Sequence, residues 1–170
     1  MKKMIKKYRN AKGFTLVELL IVIIIIGILA GMMMLSTGSA TDKAEATRIV
    51  SDMRNVKSAV LMFFADEDVW LVSADNLAAQ SIATDIGDSG RSIADYLDSQ
   101  PAGYFVGKSN GLVYVEYQGA AGGGKLVANN GVAEKLTGMV TTAGLYNDVP
   151  TSADTPNYNG EANVFMIVKK

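Results

Sequence analysis

The sequence contains no cysteine and no histidine, and only three of its 170 residues are proline. Without cysteine the chain forms no disulfide, and without either residue it lacks the usual ligands of a zinc site. The same two absences exclude a serine–histidine or cysteine–histidine nucleophile pair. The composition therefore argues against a disulfide-stapled secreted domain and against the common classes of hydrolase.

Positive charge is concentrated at the N-terminus. Six of the 16 lysines and arginines lie in residues 1–13, which contain no acidic residue. The ten that remain face 17 acidic residues, so the rest of the chain carries a side-chain charge of −7. Because phosphate affinity depends on Lys and Arg, no nucleic-acid site is evident over most of the chain. An acidic excess suits an exposed, soluble surface.

A long apolar segment follows the basic cluster, within the stretch "KGFTLVELLIVIIIIGILAG" that begins at Lys12. Residues 14–35 would form a helix of roughly 33 Å, which is enough to cross a bilayer. The flanking positive charge is expected to stay on the cytoplasmic side. A secretory signal peptide is the alternative interpretation. The apolar segment is longer than an ordinary signal core, however, and no clear small-x-small cleavage site follows it.

An amphipathic pattern continues beyond the apolar segment. Its apolar positions recur at spacings of 3, 4, 3, 4 and 3, at Ala46, Ile49, Met53, Val56, Val60 and Phe63. This period predicts one buried face of a helix, and Arg48 and Asp52 on the other face are four residues apart and able to pair. Since no proline interrupts it, one helix is predicted over residues 14–65. The positions at which this helix is expected to bend are Gly27, Gly31 and Gly38.

The remaining sequence predicts short elements. Helical pieces are expected at 73–83, at 92–97 and at 129–140, and strands at 103–108, 112–118 and 163–168. Asn110-Gly111 between the first two strands is a strong hairpin signal. Ser92 and Asp95 fit a hydroxyl-x-x-acid helix cap. The glycine-rich stretch at 119–125 lacks the ending of a phosphate-binding loop, so it does not indicate a nucleotide site.

The residues from Lys12 to Gly31 resemble the leader junction and N-terminal helix of type IV pilins and the related pseudopilins. In that family a short basic leader ends in glycine. A prepilin peptidase cuts after this glycine and methylates the new N-terminal residue, usually phenylalanine, and the fifth mature residue is usually glutamate. The resemblance implies a cut between Gly13 and Phe14, methylation of the Phe14 amine and an assembly role for Glu18.

The position of Glu18 has a physical interpretation beside the resemblance. A lone acid in an apolar helix is costly and needs a partner. In a filament of stacked helices, the free amine of Phe14 on one subunit would meet Glu18 of a neighbour. That pairing would neutralise both charges and set the axial register. The alternative is that Glu18 only extends to the membrane interface near Lys12.

The sequence departs from the family pattern at two places. Many pilins have a proline about two-thirds along the apolar segment, and this chain has none there. Many fix their C-terminal loop with a disulfide, so here the loop at 146–162 must be held by packing, hydrogen bonds or an ion. Its oxygen-bearing side chains suggest calcium, but their spacing matches no calcium loop, and a polar turn is the preferred interpretation. These side chains are Asp148, Asp154, Asn157, Asn159 and Glu161.

The sequence thus predicts an α+β fold in which a long N-terminal α-helix packs on a C-terminal antiparallel β-sheet, as in the pilin fold. The predicted divisions are a removed basic leader at 1–13, a transmembrane and filament-core helix at 14–35, an amphipathic helix half at 36–66 and a globular head at 67–170.

The predicted function is structural: a type IV pilus subunit, held in the inner membrane with its N-terminus in the cytoplasm and then assembled into an extracellular filament. The resemblance implies as partners further copies of the chain, the prepilin peptidase, an assembly ATPase and its platform protein. A type II secretion pseudopilin or a minor pilin is the alternative, followed by a single-span membrane protein with a periplasmic binding head. No catalytic constellation, cofactor site or metal site is predicted.

Overall fold

A computed structural model describes residues 13–68, 76–84, 90–150 and 155–169, so the leader up to Lys12 lies outside the described residues. The described helices are α1 (Leu16–Glu67), α2 (Gly131–Thr137) and α3 (Val140–Ala143), with a short 3₁₀ helix at Ile93–Tyr96. The described strands are β1 (Asn76–Ser81), β2 (Tyr104–Ser109), β3 (Leu112–Gln118), β4 (Leu145–Tyr146) and β5 (Asn163–Lys169). The strands form one antiparallel sheet in the order β1-β2-β3-β5-β4.

The long helix confirms the prediction from the sequence. α1 contains 52 residues and no proline, and its bounds lie within two residues of those expected. It is long and apolar enough to cross a membrane by length and composition, with none of its most apolar window buried in the chain. The chain divides into two compact units, Met1–Gly38 and Ser39–Lys170, and α1 contributes its apolar half to the first and its amphipathic half to the second.

The core of the second unit lies between the amphipathic half of α1 and the sheet. All six positions of the predicted helix face are at most 1 % exposed: Ala46, Ile49, Met53, Val56, Val60 and Phe63. They share a cluster with inward-facing strand residues, among them Tyr104, Val115 and Met166. On the solvent side of the helix, Arg48 pairs with Asp52 at 3.5 Å, as its spacing predicts. The expected α+β arrangement of helix on antiparallel sheet is confirmed.

The hairpin between β2 and β3 forms at the predicted turn. Ser109 lies opposite Leu112, so Asn110 and Gly111 make a two-residue connection. Both have positive φ, 49° and 81°, which is the combination that the Asn-Gly pair tolerates best in a tight hairpin. Because side chains alternate along a strand, this register sends Val113, Val115 and Tyr117 into the main core.

The opposite face of the sheet is also largely closed. Tyr114, Tyr146 and Phe165 form a second buried cluster, with the Tyr114 and Phe165 rings packed edge to face at 5.8 Å. Glu116 lies on this face and is only 6 % exposed. Its carboxylate accepts hydrogen bonds from Gln118 and Asn163, and burial raises the pKa of the Glu116 carboxyl above its ordinary value.

Three elements differ from the predictions. The helix expected at 73–83 is wrong where the structure describes it, because residues 76–81 form β1 and pair with β2. β4 was not anticipated. The helix expected at 129–140 is shorter: α2 begins after Asn130, whose side chain accepts from the Ala133 amide, and Val140 belongs to α3.

The cap at Ser92 is confirmed, since its amide and hydroxyl both donate to the Asp95 carboxylate.

The loop before β5 is held by hydrogen bonds. The Asn157 amide donates to the Leu145 carbonyl, and the Asn157 side chain accepts from the Asn147 amide. The Tyr158 hydroxyl donates to the Glu161 carbonyl. Among the described residues no group of three or more Asp or Glu side chains is placed to hold a metal ion, and Asp154 lies outside them.

Candidate functional site

The predicted cleavage junction lies just before α1 begins. Gly13 and Phe14 have no regular secondary structure, and the Phe14 side chain is 89 % exposed. A Cβ added to Gly13 would meet nothing within 4 Å inside the chain. Packing against the described residues therefore does not require the glycine. A site that accepts extended backbone would favour glycine for its small size.

The first turn of α1 is capped by two side chains that satisfy each other's backbone amides. The Thr15 amide and hydroxyl donate to Oε2 of Glu18 at 2.9 and 2.7 Å. The Glu18 amide donates in return to the Thr15 hydroxyl at 3.2 Å. This is a capping box, in which a hydroxyl residue before the helix and an acid three residues later satisfy the unpaired N–H groups. Glu18 also places negative charge at the positive end of the helix dipole.

Sequence reasoning missed Thr15 as a partner of Glu18. The signal was present, since Thr-Leu-Val-Glu at 15–18 has the same hydroxyl-x-x-acid spacing that indicated the cap at Ser92. The apolar segment around it indicated a membrane helix, and the spacing within it was not considered as a helix cap.

The apolar half of α1 is not covered by the part of the chain that the structure describes. Every large apolar side chain described from Phe14 to Met33 is between 48 % and 89 % exposed. Fully burying one such side chain contributes about 1.5–3 kcal/mol. An uncovered apolar cylinder of this length needs lipid or other helices around it. Glu18 is exposed on the same surface.

The three glycines proposed as bending points all lie in helical backbone. Gly27, Gly31 and Gly38 fall inside α1, and a Cβ at any of them would meet nothing within 4 Å. No close contact inside the chain requires them. Their role as points of flexibility stays a prediction.

Several described ionisable groups of the head hold α1 against the rest of the head. Lys125 pairs with Glu45 at 3.2 Å, and Arg48 lies between Glu45 and Asp52. The Tyr104 hydroxyl donates to Asp52, and burial together with that carboxylate raises the pKa of Tyr104. These contacts connect α1 to the sheet and to the loop after β3, and none of them forms an acid–base pair in a cleft.

Comparison with known proteins finds a family match in the first part of the chain and similarities to several named proteins. The family described as the prokaryotic N-terminal methylation motif matches residues 8–34, which include Gly13, Phe14 and Glu18. The chain is 34 % identical over 71 residues to type II secretion system core protein G of Klebsiella michiganensis. It is 40 % identical over 73 residues to fimbrial protein EcpC of Eikenella corrodens, and 37 % identical over 68 residues to the type IV major pilin protein PilE of Neisseria gonorrhoeae.

These matches cover part of each protein. They include 42 %, 43 % and 40 % of this chain, respectively, and the chain spans about half or less of each relative: 50 %, 46 % and 40 %. The solved structure of the major type IV pilin PilA1 from Clostridium difficile aligns with 78 % of this chain at a TM-score of 0.48 and 18 % identity. The resemblance to type IV pilins and pseudopilins seen in the sequence is confirmed, and the relatives' names describe pilins and secretion-system proteins.

Proposed function

We propose that this protein is the structural subunit of a type IV pilus filament, cut by prepilin peptidase between Gly13 and Phe14 and assembled through its apolar helix. The observation that carries the proposal is a methylation motif at residues 8–34 that coincides with an uncovered apolar helix. On this proposal residues 1–13 are the leader, 14–35 the filament core, 36–66 the amphipathic half of the helix and 67–170 the head.

Helix packing supplies the driving force for assembly. Before assembly the bilayer covers the apolar half of α1, and in the filament the helices of neighbouring subunits replace the lipid. Because apolar packing is non-directional, a charge pair is needed to fix the axial register. The methylated amine of Phe14 on one subunit and the carboxylate of Glu18 on the next would provide it.

The proposed processing and assembly imply further protein partners. The positive residues at 1–13 favour a cytoplasmic N-terminus in the inner membrane, where the prepilin peptidase acts. An assembly ATPase with its platform protein would then extract the subunit into the growing filament. No step requires a catalytic group, cofactor or metal ion on this chain.

The experiment is mass spectrometry of sheared surface filaments from the cells that produce this protein. The expected chain starts at N-methylated Phe14 and is abundant in the filament fraction. A chain that keeps Met1 and stays in the membrane would overturn the proposal, and a single-span protein with a periplasmic binding head would replace it.

A type II secretion pseudopilin is the second candidate, because several relatives are named core protein G. Its chain would also start at methylated Phe14, so processing does not separate the two. The two candidates differ in how much of the protein is found in surface filaments and in what its deletion does to the cell. A major pilin dominates surface filaments, whereas a pseudopilin is absent from them and its deletion abolishes protein secretion. A minor pilin would appear in the filaments at a small fraction of the total.

A further inference from the structure

The solvent-facing side of the amphipathic half of α1 is bordered by two grooves. The first, here called the polar groove, has a volume of about 510 Å³ and is lined by the helix and by the segment after the 3₁₀ helix. Its polar lining side chains include Asp52, Asn55, Ser58, Asp98 and Ser99. The second, here called the α3 groove, has a volume of about 480 Å³ and lies between α1 and the α3 region, with Val50, Arg54, Met139 and Ala143 in its walls.

Each groove has in its wall one charged side chain that makes no ion pair among the described residues: Arg54 at the α3 groove and Asp98 at the polar groove. Among the described residues Arg54 is exposed and makes no ion pair, whereas Arg48 pairs with Glu45 and Asp52 and Arg91 pairs with Asp66 and Glu67. The Arg54 contact is through its carbonyl, which accepts from the Ser58 hydroxyl.

Asp98 is the corresponding acid in the polar groove. It is exposed and pairs with no cation among the described residues. The other acid of that groove, Asp52, is already engaged by Arg48 and by the Tyr104 hydroxyl. The groove thus offers one carboxylate that makes no ion pair among the described residues, with hydroxyl and amide oxygens elsewhere in its lining, and such a lining suits a guanidinium.

We propose that the occupant of the polar groove is a second copy of this chain, whose Arg54 pairs with Asp98. The inference rests on the proposed filament function, and it names the surfaces by which adjacent heads meet. The oxygens of Asn55, Ser58 and Ser99 serve as further acceptors for the incoming guanidinium. The half-exposed Met62 at the rim of the polar groove is covered by the same contact.

The geometry of such a contact suits a filament. The two grooves share Asn55, with Arg54 in the wall of one and Asp98 in the wall of the other. In a filament the pairing is heterologous: Arg54 of one copy meets Asp98 of the next, which leaves one free Asp98 and one free Arg54 at the two ends of any chain of copies. A heterologous contact that does not close into a ring generates an open helical array. Charges at the rim of an interface contribute to register and to rejection of wrong docking more than to affinity.

The test is a charge exchange in the full chain, expressed in cells that assemble it. Arg54→Glu and Asp98→Arg are each expected to lower the yield of sheared filaments about tenfold through like-charge contact. The double variant Arg54→Glu with Asp98→Arg is expected to return to within about twofold of wild type. Cleavage at Phe14 and the amount of chain in the membrane should not change, because both side chains are exposed and lie outside the core.

Matched controls use exposed charges of the same sign that line neither groove. Lys43→Glu on α1 and Glu134→Arg on α2 change the net charge by the same amounts and are expected to leave the yield near wild type. Normal filament yield from both single variants, or a double variant no better than the singles, would overturn the inference. Wild-type cells that make no filament with an N-methylated Phe14 start would overturn the proposed function instead.

A cross-link gives a second readout. The chain has no native cysteine, so introduced pairs react without background. Cells that co-express Arg54→Cys and Asp98→Cys chains are expected to yield a covalent dimer from their filaments when a bifunctional thiol reagent is added, because the Cα atoms of an Arg–Asp pair lie farther apart than the roughly 7 Å that a direct disulfide spans. Cells with either variant alone provide the baseline. Because each chain carries one cysteine, the dimer band reports only contact between subunits, and its absence from assembled filaments would contradict the pairing.

Discussion

Thr15 and Glu18 cap each other at the start of α1, with the Thr15 hydroxyl 2.7 Å from the Glu18 carboxylate. The acid in the apolar helix is therefore not without a partner in the single chain. It satisfies the Thr15 amide, an N–H group that the start of the helix leaves unpaired. If the Phe14 amine of a neighbouring subunit pairs with Glu18 during assembly, the carboxylate either binds it in addition to Thr15 or releases Thr15.

Two substitutions at Glu18 separate the capping role from the charge role. Glu18→Gln keeps an oxygen that accepts from Thr15 but removes the charge, whereas Glu18→Ala removes both. If the charge pairs with the amine of Phe14, both variants should insert and be cleaved normally, and both should lose most of their filament yield. Full assembly of Glu18→Gln would show that the cap alone is sufficient.

Substitution of Thr15 tests the cap from its other side. Thr15→Val keeps the shape of the side chain and removes the hydroxyl, so the Glu18 amide loses its acceptor. We expect filament yield to fall several-fold with cleavage unchanged, because the carboxylate keeps the amide of residue 15 as a donor but loses the hydroxyl. Thr15→Ser restores the hydroxyl and should assemble nearly as well as wild type. Equal yields from the Val and Ser variants would contradict this role.

Gly13→Leu tests the cleavage site. A Cβ at this position meets nothing within 4 Å among the described residues, so the substitution is expected to leave the fold intact and to challenge only the peptidase. The expected product keeps its leader and migrates about 1.5 kDa above the mature chain on a gel. Gly27→Leu, at a position where an added Cβ also meets nothing within 4 Å among the described residues, is the matched control and should be cleaved. Continued processing of Gly13→Leu would place the cut elsewhere.

The core of the head makes a separate prediction about stability. Phe63 is 1 % exposed and packs edge to face on Tyr96 at 5.9 Å, whereas its neighbour Met62 is 56 % exposed. Phe63→Ala should lower the free energy of unfolding by about 3–5 kcal/mol through lost contacts and a cavity. Met62→Ala should change it by less than about 0.5 kcal/mol. Denaturant titration of the full chain in detergent, followed by near-ultraviolet circular dichroism, measures both.

The helix and its buried face were predictable because their signals are periodic and local. A 52-residue helix without proline, and a 3-4 repeat from Ala46 to Phe63, need no knowledge of the rest of the chain. The hairpin was predictable for the same reason, since Asn110-Gly111 encodes its own turn.

The missed strands depend on partners elsewhere in the fold. β1 has the sequence Asn-Leu-Ala-Ala-Gln-Ser, whose Leu, Ala and Gln favour helices, and it becomes a strand because the edge of β2 is available to pair with it. β4 has two residues, too few to show any period, and exists through its pairing with β5. The cap between Thr15 and Glu18 was readable from its spacing. The groove residues Arg54 and Asp98 were not, because they carry no motif and only the structure shows that each lies in the wall of a groove.

Ionisation of Glu116 is expected to make the free energy of unfolding of the head fall as the pH rises. Burial raises the pKa of its carboxyl, so the folded state holds the proton more tightly than the unfolded chain. Its contribution to the free energy of unfolding is therefore most favourable below the unfolded pKa of about 4.3 and declines as the pH rises through the folded value. Glu116→Gln keeps a side-chain oxygen to accept from Gln118 and Asn163 and removes the ionisation. The variant should exceed wild type in stability at pH 7, and the difference should shrink toward pH 4. A difference that stays constant over this range would mean that Glu116 is hydrated in the folded head.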